Sequence, residues 1–177
     1  MLSDSLQLVR VAPDSSLLYA GHYNPTLVGL SLLTAFVTSY AALLVARRAG
    51  RESGAAARAG WLAAGGLLWG AGVWSMHFIG MLAFSLPCVT TYDPAITLLS
   101  MLPGVVASTL AIHLISRPAP GWGRLIPGGV LLGSGIGALH YTGMAAYRLD
   151  GFVRYDLALF VLSIVVAARL SWLALCI

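Results

Sequence analysis

Lysine is absent from this chain: all ten basic residues are arginine, set against six acidic ones, and only 9% of the residues are charged. A soluble domain carries about 25% charge. That shortfall, with 59% apolar residues and a mean hydropathy of +0.87, excludes an ordinary soluble domain and marks an integral membrane protein. The pI near 9.4 does not make it a nucleic-acid binder, because the arginines sit in short segments between apolar runs rather than on one basic face. Cysteine is scarce too. Cys88 falls in a predicted loop and Cys176 at the chain end, on opposite membrane faces, so no disulfide between them is expected. Residues 1–21 are polar and mixed, with no basic start leading into an apolar core, and are read as an outer-side segment rather than a cleaved signal peptide.

A spanning helix needs about 20 mostly apolar residues. Five runs qualify, at residues 25–46, 61–84, 94–115, 126–147 and 157–177. They are too long and too uniformly apolar for strands, so the expected fold is an all-α membrane protein, a five-span helix bundle. Arg47, Arg48, Arg51 and Arg58 fall between the first two runs, and Arg117 and Arg124 between the third and fourth. The second loop has no base and carries Asp93, while Arg148 and Arg154 are balanced by Asp150 and Asp156 in the fourth. The positive-inside rule then puts the N-terminus outside and the first and third loops in the cytoplasm.

The runs repeat. Tyr23-Asn24-Pro25 recurs as Tyr92-Asp93-Pro94 and as Tyr155-Asp156-Leu157, with serines at matching distances: Ser31, Ser100 and Ser163, then Ser39, Ser108 and Ser171. Gly65, Gly66, Gly70 and Gly72 correspond to Gly128, Gly129, Gly133 and Gly135. The unit is a helix pair, present twice in full and once in part, and its copies run in the same direction. Asn24 and Asp93 before proline read as helix caps. The glycines permit close helix approach in lipid, and the serines bond a carbonyl one turn back or a neighbouring helix.

Two stretches carry chemistry: Met76-His77-Phe78-Ile79-Gly80-Met81 and Leu139-His140-Tyr141-Thr142-Gly143-Met144. Each places a histidine inside an apolar run, about 10 Å below the outer boundary at 1.5 Å per residue, with a methionine at i+4 on the same helical face. An intramembrane ionisable group is a candidate functional site. The expected metal ligands are His77, His140, Met81 and Met144, with His22 at the outer boundary as the additional histidine. Met76, Tyr141 and Asp93 are secondary candidates that ligate or support a ligand. Thioether and imidazole together favour copper; zinc is the alternative, and a haem held by histidine and methionine fits two identical ligand sets less well. His113, at the inner end of the third run, has no counterpart in the other copies and reads as a packing or interfacial residue. Arg169, deep in the fifth run, snorkels inward or meets a partner helix.

The paired histidine stretches, the Tyr-Asn-Pro start and the repeated helix pair resemble the MHYT domain family of bacterial membrane sensors, over about residues 21–177. The first stretch has Phe78 and Ile79 where the family motif has Tyr and Thr, and the second has Leu139 in place of its methionine. The resemblance implies an MHYT-like sensor domain at residues 22–177, built of three helix pairs plus a further helix and here lacking the last of them. It also implies a bacterial inner-membrane location, copper bound by histidine and methionine, and sensing of O2, CO or NO. Cytoplasmic output domains that make or break cyclic di-GMP are the implied partners.

Three functions remain open on the residues alone. The first is a metal-dependent sensor whose diatomic ligand biases helix packing, with lipids and a possible second copy as its surroundings. The second is a membrane copper or zinc enzyme of oxidase or hydroxylase type; no general base is evident for it. The third is a metal transporter, for which the runs offer no intramembrane carboxylate.

Overall fold

The computed structural model describes residues 7–9, 20–116, 121–149 and 153–176. Arg117, Asp150, most of the N-terminal segment 1–21 and Ile177 lie outside the described residues, and so do the expectations placed on them. The helices are α1 (Pro25–Arg51), α2 (Ala55–Ala83), α3 (Pro94–Leu99), α4 (Met101–Ile115), α5 (Trp122–Ala145) and α6 (Leu157–Cys176).

The repeated starts act as caps. The Asn24 side chain accepts from the backbone N–H groups of Thr26 and Leu27 at 3.0 and 3.3 Å. Asp93 does the same for Ala95 and Ile96 at 3.1 Å each, and Asp156 for Ala158 and Leu159 at 2.8 and 3.0 Å. Each cap satisfies N–H groups that have no partner inside the helix.

The third expected run is divided. Pro103 has no N–H for the Leu99 carbonyl and its ring crowds that turn, and the helix breaks at Ser100 between α3 and α4. Four stretches are long and apolar enough to cross a membrane: Pro25–Arg51, Ala55–Ala83, Pro94–Ile115 and Leu157–Cys176. The fourth expected run forms α5, a helix of 24 residues, yet it is not among the four. Its seven glycines, together with Arg124, Ser134 and His140, dilute its apolar character.

The helices pack in series: α1 on α2, α2 on α4, α4 on α5 and α5 on α6. The seams are lined by glycine. A Cβ placed on Gly70 would lie 2.5 Å from the Cα of Val105, and one placed on Gly133 would lie 2.5 Å from the Cα of Ala168. Each partner in the second seam stands 63 positions after its counterpart in the first, so the sequence repeat is also a packing repeat. Ile112 and Leu139 are fully buried between helices.

Short ladders that the all-helical expectation did not contain join the helix ends. They are β1 (Gln7–Val9), β2 (His22–Tyr23), β3 (Phe84–Ser85), β4 (Thr90–Tyr92), β5 (Tyr147–Leu149) and β6 (Arg154–Asp156). β2 pairs with β3 and β4 with β5, both antiparallel, while β1 pairs with β6 in parallel. The Asn24 N–H donates to the Ala83 carbonyl at 2.8 Å, and the Asp93 N–H to the Ala146 carbonyl at 2.9 Å. Strands of two or three residues are too short to show the alternation by which a strand is read from sequence.

Candidate metal centre

His77 on α2 and His140 on α5 face each other. Their Nδ1 atoms are 3.4 Å apart and their rings meet edge-on with centroids separated by 4.9 Å. His77 is half-buried and His140 exposed on the surface of the described residues. At 3.4 Å one Nδ1–H donates only weakly to the other nitrogen, in the tautomer that allows it; with both nitrogens unprotonated the lone pairs repel. A cation between them removes the repulsion.

The other nitrogen of His77, Nε2, is buried and has no hydrogen-bond partner. It lies over Gly143, where a Cβ would come within 2.6 Å of it. Glycine is therefore required for the ring to occupy its place. The backbone of the preceding residue is fixed as well, because the Ser31 hydroxyl on α1 donates to the Met76 carbonyl at 2.8 Å.

Aromatic rings wall the pair. Phe78 stands 5.1 Å from His77, 5.0 Å from Trp74 and 6.0 Å from Tyr92. Tyr141 stands 4.9 Å from His140, 5.6 Å from Tyr155 and 4.6 Å from Phe160. Above them Asp93 pairs with Arg148 at 3.4 Å. The Asp93 carboxyl is held below its ordinary range, first by the Ile96 backbone N–H and further by Arg148. The Tyr92 hydroxyl is pushed up by burial and by its neighbour Tyr147.

Of the expected ligands, the structure brings His77 and His140 together. His22 lies in β2 opposite Ser85, and among the described residues no group of three or more His, Cys, Asp or Glu side chains is placed to hold a metal ion. Met81 and Met144 lie half-buried one turn beyond their histidines. Met76 contributes its carbonyl to Ser31, Tyr141 shares a hydrogen bond with Ser163 at 2.7 Å, and Asp93 is occupied by the α3 cap and Arg148.

Sequence reasoning passed over Gly143 and Trp74. Gly143 sits inside the second histidine stretch, and an indole three residues before His77 in an apolar run needs a partner for its N–H. Both signals were there to be used.

The repeat agrees with what comparison with known proteins shows. Residues 16–59, 70–128 and 133–177 match the MHYT family, described as the bacterial signalling protein N-terminal repeat. The chain belongs to the MHYT family. It is 46% identical over 153 residues to the bifunctional diguanylate cyclase/cyclic di-GMP phosphodiesterase MucR of Pseudomonas aeruginosa, a match covering 86% of this chain and 22% of MucR. The cyclic di-GMP phosphodiesterase NbdA of the same organism is 38% identical, and the signaling protein YkoW of Bacillus subtilis 34%, each over 86% of this chain and 19% of the relative. The MHYT chain thus spans about a fifth of the length of these relatives. No solved structure matches it.

Proposed function

We propose that this MHYT domain is the membrane-embedded sensing part of a cyclic di-GMP signalling protein, and that it binds a soft metal ion, copper, between His77 and His140. The observation that carries the reading is the 3.4 Å separation of the two Nδ1 atoms. Two nitrogens each bound at about 2.0–2.1 Å to a tetrahedral ion stand about 3.3–3.4 Å apart. The donor set fits a soft ion: imidazole nitrogens at the centre, with the thioethers of Met81 and Met144 one turn away on the same two helices. Zinc is the alternative ion.

The bound ion would supply a coordination position for a diatomic ligand such as O2, CO or NO. The chain's own residues do the rest. Gly143 admits the His77 ring, Phe78 and Tyr141 pack beside the two imidazoles, and the α2–α5 contact carries any change of ligation across the repeat. The printed names of MucR and NbdA support cyclic di-GMP turnover as the output. A signal requires different ligand affinity in two packings of the helices.

In this reading α5 is a fifth crossing. It lies against α4, the longer part of the Pro94–Ile115 stretch, and against α6, both belonging to stretches apolar enough to span, and its glycines are matched to those neighbours. The arginines at the inner ends support an N-terminus on the outer side of the bacterial inner membrane. The test is metal content after purification. Parent protein holding about one copper, and a His77→Ala/His140→Ala double variant holding none, supports the site. A metal-free parent, or an unchanged double variant, sinks it.

A further inference from the structure

The two histidine stretches are repeats, yet the residues around them are not the same, and the differences compensate. In the second copy the ring after the histidine is Tyr141. Its hydroxyl shares a hydrogen bond of 2.7 Å with Ser163 on α6, and Ser163 in turn donates to the Phe160 carbonyl at 2.7 Å. In the first copy the corresponding ring is Phe78, which has no hydroxyl, and the corresponding serine is Ser100. Ser100 nevertheless makes the equivalent bond: Trp74 Nε1 donates to its Oγ at 3.2 Å and to the Thr97 carbonyl at 2.9 Å. The Ser100 hydroxyl donates to that same carbonyl at 2.7 Å. Trp74 packs on Phe78 with centroids 5.0 Å apart. The position matching Trp74 in the second copy is Gly137, so the tryptophan is present only where the tyrosine hydroxyl is absent.

We propose that Trp74 is a positioning residue for His77, tying the aromatic wall of that histidine to the serine of the next helix as the Tyr141 hydroxyl does for His140. The wall and the tether coincide in Tyr141. In the first copy they are divided between Phe78, which touches His77, and Trp74, which holds Phe78 in place and reaches Ser100. Ser100 is 1% exposed and sits at the break between α3 and α4. The tether therefore fastens the His77 wall to the one interruption of that span. The proposal concerns the site described under the proposed function, but its principal test needs no metal.

Metal-free protein with 15N-labelled histidine, in detergent, gives imidazole resonances that His77→Ala and His140→Ala variants assign. Trp74→Phe keeps the ring and removes the N–H; it is expected to shift the His77 signal. Adding Phe78→Tyr supplies the hydroxyl that Tyr141 carries in the second copy and is expected to return that signal toward its parent position. Adding Ser100→Ala to the double variant is expected to abolish the rescue. An unmoved His77 signal in Trp74→Phe, a shift that Phe78→Tyr does not reverse, or a rescue that survives Ser100→Ala would each overturn the proposal. Should Trp74→Phe fail to fold, the double variant is compared with the triple variant on the same readout. In a separate Cu(I) competition assay, Trp74→Phe is expected to bind about 10-fold more weakly than the parent. Parent protein that binds no Cu(I) refutes the metal reading and leaves the imidazole signals to decide on Trp74.

Discussion

His77 Nε2 rests against the backbone of Gly143, with no room between them for a methyl group. The contact crosses from one repeat to the other, and it means that the histidine of the first copy is seated by a glycine of the second. Gly80, the matching residue of the first copy, has a looser neighbour: a Cβ there would lie 3.5 Å from the Ser31 hydroxyl, an ordinary contact. The two glycines thus make a matched test. Gly143→Ala should weaken Cu(I) binding by about 10-fold or more, while Gly80→Ala should leave it close to that of the parent. A competition titration with a chromogenic Cu(I) chelator reads both, and equal losses in the two variants would count against the seating role.

The glycine seams predict a stability difference. A Cβ at Gly70 or Gly133 meets the backbone of Val105 or Ala168, which cannot rotate away. Gly70→Ala and Gly133→Ala should each destabilise the bundle by about 1–3 kcal/mol, the usual cost of overpacking. Gly29 on α1 has nothing within 4 Å of its would-be Cβ. Gly29→Ala should be neutral or slightly stabilising, since alanine is the better helix former. Thermal unfolding in detergent, followed by circular dichroism, separates the two outcomes.

Acid should loosen the end of the bundle that carries Asp93. The group's pKa is lowered in the folded state, first by the Ile96 N–H and then by Arg148 among its other partners. A carboxylate with a lowered folded pKa contributes stability that is fully present above its unfolded value, 3.8, and is lost as pH falls through the folded value. Stability should therefore be flat near neutrality with respect to this group and drop in the acid range. Asp93→Asn keeps a capping side chain, as Asn24 shows on α1, but removes the titration. The difference between variant and parent should be visible at pH 6 and shrink toward pH 3, and added salt should reduce the part due to Arg148. An unchanged difference across that pH range would contradict the assignment.

The cap on α6 makes a simpler prediction. Asp156 accepts from the N–H groups of Ala158 and Leu159. Replacing it with alanine should cost about 1 kcal/mol, and replacing it with asparagine much less. Unfolding of the two variants side by side checks this.

The parts of this molecule that were readable in the sequence are those set by periodicity. The long apolar runs announced the helices, and Tyr23, Tyr92 and Tyr155 announced the repeat that the caps and glycine seams then displayed in space. His77 and His140 were identified as a pair from their matching surroundings, and α2 and α5 do bring them face to face. What was not legible depends on contacts between elements. The ladders are too short to leave a pattern; the break at Ser100 did have a signal in the sequence, Pro103, whose ring crowds the preceding turn, while the indole that meets Ser100 comes from another helix. His22 reads as an additional histidine from its place at the end of the first run, and no sequence signal marks it as part of β2, in a ladder with β3. The hydropathy of α5 was overstated because its glycines were counted for packing and not for what they subtract from apolarity.

The ladders tie the helix ends together. α1 and α2 are joined at one end by the three residues Glu52, Ser53 and Gly54 and at the other by the β2–β3 ladder and the bond from Asn24 to Ala83. That pair is a closed frame, fastened at both ends, which opposes scissoring of its two helices. The β4–β5 ladder likewise fastens the same ends of the second pair. The remaining freedom is one frame sliding or rocking against the next, and the two imidazoles lie across that joint. An ion held there, as proposed, would act as a pin between the two frames.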